Sequence, residues 1–287
     1  MDIGTKIRSL RLSKGLSQKE LSEGVCSQSM LSQIEKNKHT PNFHLLAKLC
    51  ERLEVPLDEL SEYTTTELTI KKNLKEKLSA LFYQRKYEEI YGLIKSHHLH
   101  SFFYTPLDLQ LLLFYKALYY GFTKGEHHKA YEILEEALYI TYYENKSNLS
   151  YQEIIILNNL GIFIAKMEMF IESFRYFEII LQDIDTNTKI ENDPKITLIY
   201  FNIANAYSKY GEYEKALKVS IQGIQWANKP NVNTQLRLSH LYYEKAYNEQ
   251  MLNIPNYIES YKIAYYLAVN EKDDFLLRFI QSKINID

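Results

Sequence analysis

A helical pattern that returns at a fixed step constrains this chain more than any other feature, because a self-similar array folds as stacked units rather than around one closed core. The plainest unit is "FNIANAYSKYGEYEKAL" at residues 201–217. Tyr200, Ile203, Ala204 and Tyr207 take the spaced positions of a first helix, Gly211 and Tyr213 the turn, and Ala216 the small position on a second helix. The same frame fits "FYKALYYGFTKGEHHKAYEILEEAL" from residue 114, with Gly125, Ala130 and Ala137 in register. It fits "LNNLGIFIAKMEMFIESFRYF" from residue 157, with Leu160, Gly161 and Phe177 in register. The frames begin near residues 111, 154 and 197, each 43 residues after the last, with weaker copies near 71 and 240. Five helical pairs are expected. Only nine Gly and six Pro stand against 25 Tyr, so few breakers interrupt this pattern.

Each pair looks like a tetratricopeptide repeat, stretched from the usual step of about 34 residues by longer helices or by loops such as "QDIDTNTKIENDPK". One pair cannot bury its apolar face alone, so stacking predicts a superhelix whose concave surface is built from first helices. The frame puts Tyr115 and Tyr119 on that surface in the second pair, Asn158 and Lys166 in the third, Phe201, Asn205 and Lys209 in the fourth, and Glu244 and Asn248 in the fifth. Asn amides both donate and accept, as holding an extended peptide backbone requires. Lys166 and Lys209 suit a carboxylate, and the aromatic rings suit apolar side chains. The competing reading is a purely structural or dimerising array.

The N-terminal segment differs in kind. "LSQKELSEGVCSQSMLSQIE", residues 16–35, reads as two short helices joined by a tight turn. Ser17 and Glu20 form a capping box, and Ser27 can cap the second helix. Leu31 and Ile34, with Met30 in part, turn inward and leave Gln28, Ser29, Ser32 and Gln33 on an outer face that is polar and uncharged. Such a face suits base edges in a major groove, where Gln pairs with adenine and Ser with several groups. Arg8, Gln18, Lys19, Lys36 and Lys38 would hold phosphates and set the register.

Charge follows the same division. Formal net charge is −2, so no global field draws the chain to nucleic acid or an anionic membrane. Residues 1–38 nevertheless carry seven Lys or Arg against four acidic residues, whereas residues 61–287 carry 25 against 28. Any attraction to DNA is local to the first segment.

Residues 4–60 resemble the helix-turn-helix module of the Cro/repressor class, five helices in about sixty residues. The resemblance is carried by "KIRSLRLSKGLSQKELSEGV" and "LSQIEKNKHTPNFHLLAKLCERLEVPLDEL", with Glu35 closing the recognition helix, Pro41 before the fourth helix and "VPLDEL" as the closing turn. The stretch from Leu21 to Ser27 is one residue shorter than the commonest form. The expected organisation is therefore all-α: a helix-turn-helix domain at residues 1–62, a linker or helix at 63–75, and a repeat domain at 71–287 for peptide binding and dimerisation.

This combination resembles the peptide-responsive regulators of Gram-positive bacteria, the RRNPP group, and within it the PlcR branch. The match runs from "QKELSEGVCSQS" through "YQRKYEEIYGLI" to the Tyr-rich last pair. It implies a quorum-sensing transcriptional regulator, a cytoplasmic homodimer on operator DNA, activated by a short signalling peptide in the repeat groove. It also implies that Asn158 holds peptide backbone. Residues near the first repeat's turn contribute in the family, and here they read Tyr83, Arg85 and Lys86.

Other chemistry is weakly signalled. "HHLH" at 97–100 and the pair at 127–128 supply neither a Cys nor an i, i+4 His pair with a third ligand, so neither a metal nor another cofactor is expected. Phosphate loops and nucleophile motifs are absent from the sequence, which argues against an enzyme. Cys26 and Cys50 fall at apolar positions of helical patterns and read as buried thiols. The start "MDIGTKIRSL" has no signal-peptide core and no apolar run is long enough to span a membrane. Two rival functions remain at this level: a helix-turn-helix repressor whose repeats grip a protein partner, and a phosphorelay-modulating repeat protein. The N-terminal module weighs against the second.

Overall fold

The computed structural model describes residues 3–96, 99 and 102–284, with side chains throughout except at residues 58–68. Every regular element among them is helical. Two compact units are formed, Met1–Lys86 with Lys95–Phe103, and Tyr87–Ile94 with Tyr104–Asp287.

The first unit begins with α1 (Ile3–Ser13), α2 (Gln18–Ser22), α3 (Gln28–Glu35) and α4 (Phe43–Arg52), followed by α5 (Leu57–Tyr83). Its starts are those of the capping signals. The Ser17 hydroxyl accepts from the Glu20 amide while the Ser17 amide donates to the Glu20 carboxylate at 2.6 Å. The Ser27 hydroxyl accepts from the Met30 amide, and the Asn42 side chain accepts from that of Leu45. Ile7, Leu21, Leu31, Ile34, Leu49, Cys50 and Leu53 form one buried cluster, to which each of α1–α4 contributes. Met30, by contrast, is exposed, since it lies off the arc held by Leu31 and Ile34.

Between Pro56 and Gln84 the sequence has neither Gly nor Pro, and α5 runs unbroken through the stretch read as a linker. The side chains of residues 58–68 lie outside the described residues. So do His97, His98 and His100 of the first histidine tract.

The second unit contains α6 (Tyr87–Ile94), α7 (Pro106–Leu118) running into a π-helical turn at Tyr119–Thr123, and α8 (His127–Leu138). Then come α9 (Tyr151–Lys166), α10 (Phe170–Ile184), α11 (Ile196–Tyr210), α12 (Tyr213–Ala227), α13 (Leu238–Met251), α14 (Tyr257–Glu271) and a last helix, α15 (Asp274–Gln281). From α7 onward the helices pack in consecutive pairs, α7 with α8, α9 with α10, α11 with α12 and α13 with α14. Along the row of first helices, α9 also touches α11 and α11 touches α13, as the inner row of a curved solenoid does.

Small residues set these approaches. A Cβ on Gly161 would stand 2.4 Å from the Phe177 ring, so only glycine lets α9 and α10 close on each other there. Gly211 ends α11 at φ 92°, the left-handed turn that the repeat frame demands before Tyr213.

Candidate functional site

Two surfaces concentrate the residues singled out by sequence, one in each unit. In the first, α3 is held by a buried ion pair. Arg11 Nε donates to Glu35 Oε1 at 2.6 Å and a terminal nitrogen donates to Oε2 at 3.0 Å. Gln18 Nε2 donates to the same carboxylate at 2.8 Å, and a further Arg11 nitrogen donates to the Leu16 carbonyl at 2.7 Å. Burial pushes the Glu35 carboxyl up, but the hydrogen bonds from Arg11 and Gln18 outweigh it and leave the group below its ordinary range. The C-terminal end of α3 is tied to α1 as well. The Gly4 amide donates to Asn37 Oδ1 at 3.0 Å, and a Cβ on Gly4 would meet the Ile34 carbonyl oxygen at 1.9 Å.

This anchoring leaves one face of α3 outward. Gln28, Ser29 and Gln33 are exposed and Ser32 is half-buried. Arg8, Lys19, Lys36 and Lys38 are exposed in the same unit. Gln18 stands apart from them, because it is half-buried and one of its two amide N–H donors is engaged by Glu35. The signal was present in the sequence, since Glu35 at a helix end facing a core needs donors, but spacing alone did not name Arg11.

In the second unit, α11, α13 and α15 enclose a groove of about 590 Å³. Four predicted residues meet there: Phe201, Asn205, Lys209 and Glu244. Asn205 Nδ2 donates to Glu244 Oε1 at 2.7 Å, linking the fourth pair to the fifth. Glu244 is 3% exposed, and burial raises its carboxyl to about 7 despite Asn205 and the positive charge of Lys209. Tyr243, Tyr247, Phe275 and Phe279 supply apolar walls. The frame missed these four. Tyr243 and Tyr247 flank Glu244 at helical spacing and were readable, whereas Phe275 and Phe279 lie on α15, which the repeat does not generate.

The remaining predicted positions are placed elsewhere. Asn248 is buried, donating to the Glu244 main-chain carbonyl at 2.6 Å, and its Oδ1 has no hydrogen-bond partner within the protein. Asn158 on α9 is 1% exposed and its Oδ1 likewise has none, so its amide is enclosed rather than presented on a surface. Tyr115 and Tyr119 are buried instead of facing a groove. The Tyr119 ring stacks on Tyr91 at 3.9 Å between centroids, which commits it to helix packing. Lys166 is exposed, with its ammonium 5.9 Å from the Phe122 ring centre. Tyr83 and Arg85 are exposed and belong to the first compact unit.

Cys50 is buried and Cys26 half-buried, with burial pushing the Cys26 thiol up, away from reactivity. His127 stacks on Phe163 at 5.9 Å. Among the described residues no group of three or more His, Cys, Asp or Glu side chains is placed to hold a metal ion, and no helix is long and apolar enough to cross a membrane.

Residues 7–60 match the family model described as "Helix-turn-helix". No curated protein matches the chain by sequence. Among solved structures, PlcR of Bacillus thuringiensis in complex with the peptide PapR7 and DNA is similar at 23% identity and TM-score 0.67, covering 99% of each chain. The apo form of PlcR is similar at 20% identity and TM-score 0.71, again over 99% of each chain. ComR of S. thermophilus, in complex with DNA and its signalling peptide ComS, is similar at 18% identity and TM-score 0.59 over 98% of each chain. The chain thus has the fold of these regulators, an N-terminal helix-turn-helix domain followed by a helical-repeat region like that of PlcR.

Proposed function

We propose that this chain is a cytoplasmic transcriptional regulator rather than an enzyme, that it binds operator DNA as a homodimer, and that a short signalling peptide in the repeat groove controls it. The observation that carries the reading is the joining in one chain of an outward, uncharged polar face on a firmly anchored α3 with a polar-floored, aromatic-walled groove on the inner helices of a repeat array. The PlcR and ComR structures hold both DNA and a peptide, which supports the same pairing of ligands here.

In this reading Gln28, Ser29, Ser32 and Gln33 contact base edges, while Arg8, Lys19, Lys36 and Lys38 hold phosphates, joined by the second amide N–H of Gln18 as a donor. A dimer sets two recognition helices in successive major grooves, about 34 Å apart. Phe201, Asn205, Lys209 and Glu244 receive the peptide, with Lys166, Tyr83 and Arg85 as further candidate contacts, and the enclosed Asn158 and Asn248 join them only through rearrangement of the repeats. Peptide binding favours the DNA-competent arrangement by its differential affinity for the two states, typically about 1–3 kcal/mol.

The test is an anisotropy titration of selected promoter fragments by the purified chain, with and without short peptides encoded beside its gene. Tightening by one peptide, lost in Asn205→Ala, is the expected result. DNA binding indifferent to every peptide, together with a stable protein partner recovered on the groove, would move the repeats to a protein-gripping repressor.

A further inference from the structure

The groove between α11, α13 and α15 has an unusual floor for a receptor of peptides. Glu244 is almost fully enclosed, its carboxyl held by Asn205 with Ser208 and Asn248 close by. Around the rim the charge is mainly positive. Lys209 is exposed and acts on the carboxyl through space, Arg237 stands over the Phe201 ring at 5.8 Å, and Lys283 stands over the Tyr247 ring at 5.5 Å. Phe275 and Phe279, their rings tilted against each other at 4.9 Å, remain open to solvent at 72% and 46% exposure, and so offer an apolar seat that the described residues leave open.

Cations at the rim favour an acidic ligand, and exposed rings favour an aromatic or large apolar side chain beside the acid. An acidic group brought into this groove meets a second carboxyl at its floor. Two carboxylates in an enclosed space repel, and one of them keeps its proton. The floor carboxyl can do so without losing its anchor, since one oxygen still accepts from Asn205 while the protonated oxygen donates to the ligand.

We propose that the groove takes an acidic peptide with a neighbouring aromatic residue, that Glu244 is protonated in the complex, and that binding therefore takes up a proton and weakens as pH rises through neutrality. This rests on the peptide-receptor reading above. Burial already raises Glu244 to about 7, which places the proton exchange where ordinary pH changes act on it. The other groups facing it are Lys209 from α11, Tyr213 from α12, Tyr261 from α14, and His240, Tyr243 and Tyr247 on its own helix. Beyond His240 stands Asp273, 3.5 Å from its ring nitrogen. Of these, histidine alone ordinarily titrates near neutrality, so His240 is the group to separate from Glu244.

The test uses the full chain and rhodamine-labelled heptapeptides in which one Phe and one Asp are stepped through an Ala/Ser background, with Asn and Lys counterparts at the Asp position. Anisotropy titrations at pH 6 and pH 8 are expected to rank Asp above Asn above Lys, with the Asp peptides binding about tenfold more weakly at pH 8. Glu244→Gln, neutral at every pH, is expected to flatten that dependence to less than twofold, and His240→Gln to keep it. Affinity that is flat or rises with pH, Lys peptides preferred over Asp, or an unchanged slope in Glu244→Gln overturns the proposal while leaving peptide binding in place. Binding by no member overturns both. Should Glu244→Gln fail to fold, the wild-type slope and the Asp-to-Lys order decide the matter.

Discussion

The two compact units bury polar groups in opposite ways. In the first, the buried charge is well answered: Glu35 receives three donors, two from Arg11 and one from Gln18, and Arg11 directs a further donor to the Leu16 carbonyl. In the second, some buried polar groups are answered as fully and others are not. Glu153, which starts α9, is met by Lys146, Thr141 and its own cap residue Ser150. Further along the inner row, Asn158 Oδ1 and Asn248 Oδ1 are buried with no partner in the protein, and Glu244 keeps its carboxyl in an apolar setting that favours the proton. A closed polar network fixes one geometry, while open buried polar groups cost stability until something satisfies them. Under the proposed function, the difference separates a rigid DNA-binding unit from a repeat array whose open polar groups a bound peptide would complete.

The sharpest way to break the comparison is Arg11→Met. It strands Glu35 as a buried unpaired charge, at a cost of about 3–5 kcal/mol, and should unfold the first unit alone. The sole Trp of the chain, Trp226, lies on α12 and donates to the Asp193 carbonyl, so its fluorescence reports the repeat unit independently. DNA binding and part of the helical signal are expected to vanish while the Trp226 emission persists. Loss of both together would show that the units do not fold separately. The same pair predicts acid sensitivity. The Glu35 carboxyl lies below its unfolded value, so its contribution is present above the unfolded pKa and is lost as pH falls through the folded one.

A smaller change tests the reading face without touching its anchor. Gln33→Ala, at an exposed position of α3, is expected to cost about 1–3 kcal/mol of discrimination at one base pair, with thermal stability unchanged. Equal losses on all sequences would place Gln33 on phosphate instead.

The repeat array should respond in the contrary direction. Asn158→Leu replaces an enclosed amide with an unpartnered oxygen by an apolar group of similar size, and is expected to raise the stability of the second unit by about 1 kcal/mol while weakening peptide binding. A melt followed at Trp226 checks it, and a drop in stability would mean that the Asn158 oxygen is already satisfied in solution. Smallest of all, Ser27→Ala removes the cap of α3 and should cost about 1 kcal/mol or less in the first unit, read as a modest fall in its melting temperature.

How far the sequence reached follows the same line. The capping box at Ser17, the cap at Ser27, the turn at Gly211 and the core positions of α2 and α3 were legible because each rests on a local rule. The Arg11–Glu35 pair was not, since it joins residues 24 apart whose meeting depends on how α1 packs. The groove was legible in part. Spacing placed Phe201, Asn205, Lys209 and Glu244 on one inner surface, but spacing cannot tell which inner residues neighbouring helices will cover. Tyr115, Tyr119, Asn158 and Asn248 were covered by neighbouring helices. Phe275 and Phe279 lay beyond the repeat altogether.

The central claim is that the two units are coupled, so that what fills the groove changes what α3 holds. It is tested most directly by measuring the affinity of one peptide for the full chain with and without operator DNA, and the affinity for DNA with and without that peptide. The account predicts the same factor both ways, roughly five- to 150-fold, because coupling between two binding sites is reciprocal. A DNA affinity that stays constant as the groove is saturated with peptide would contradict it.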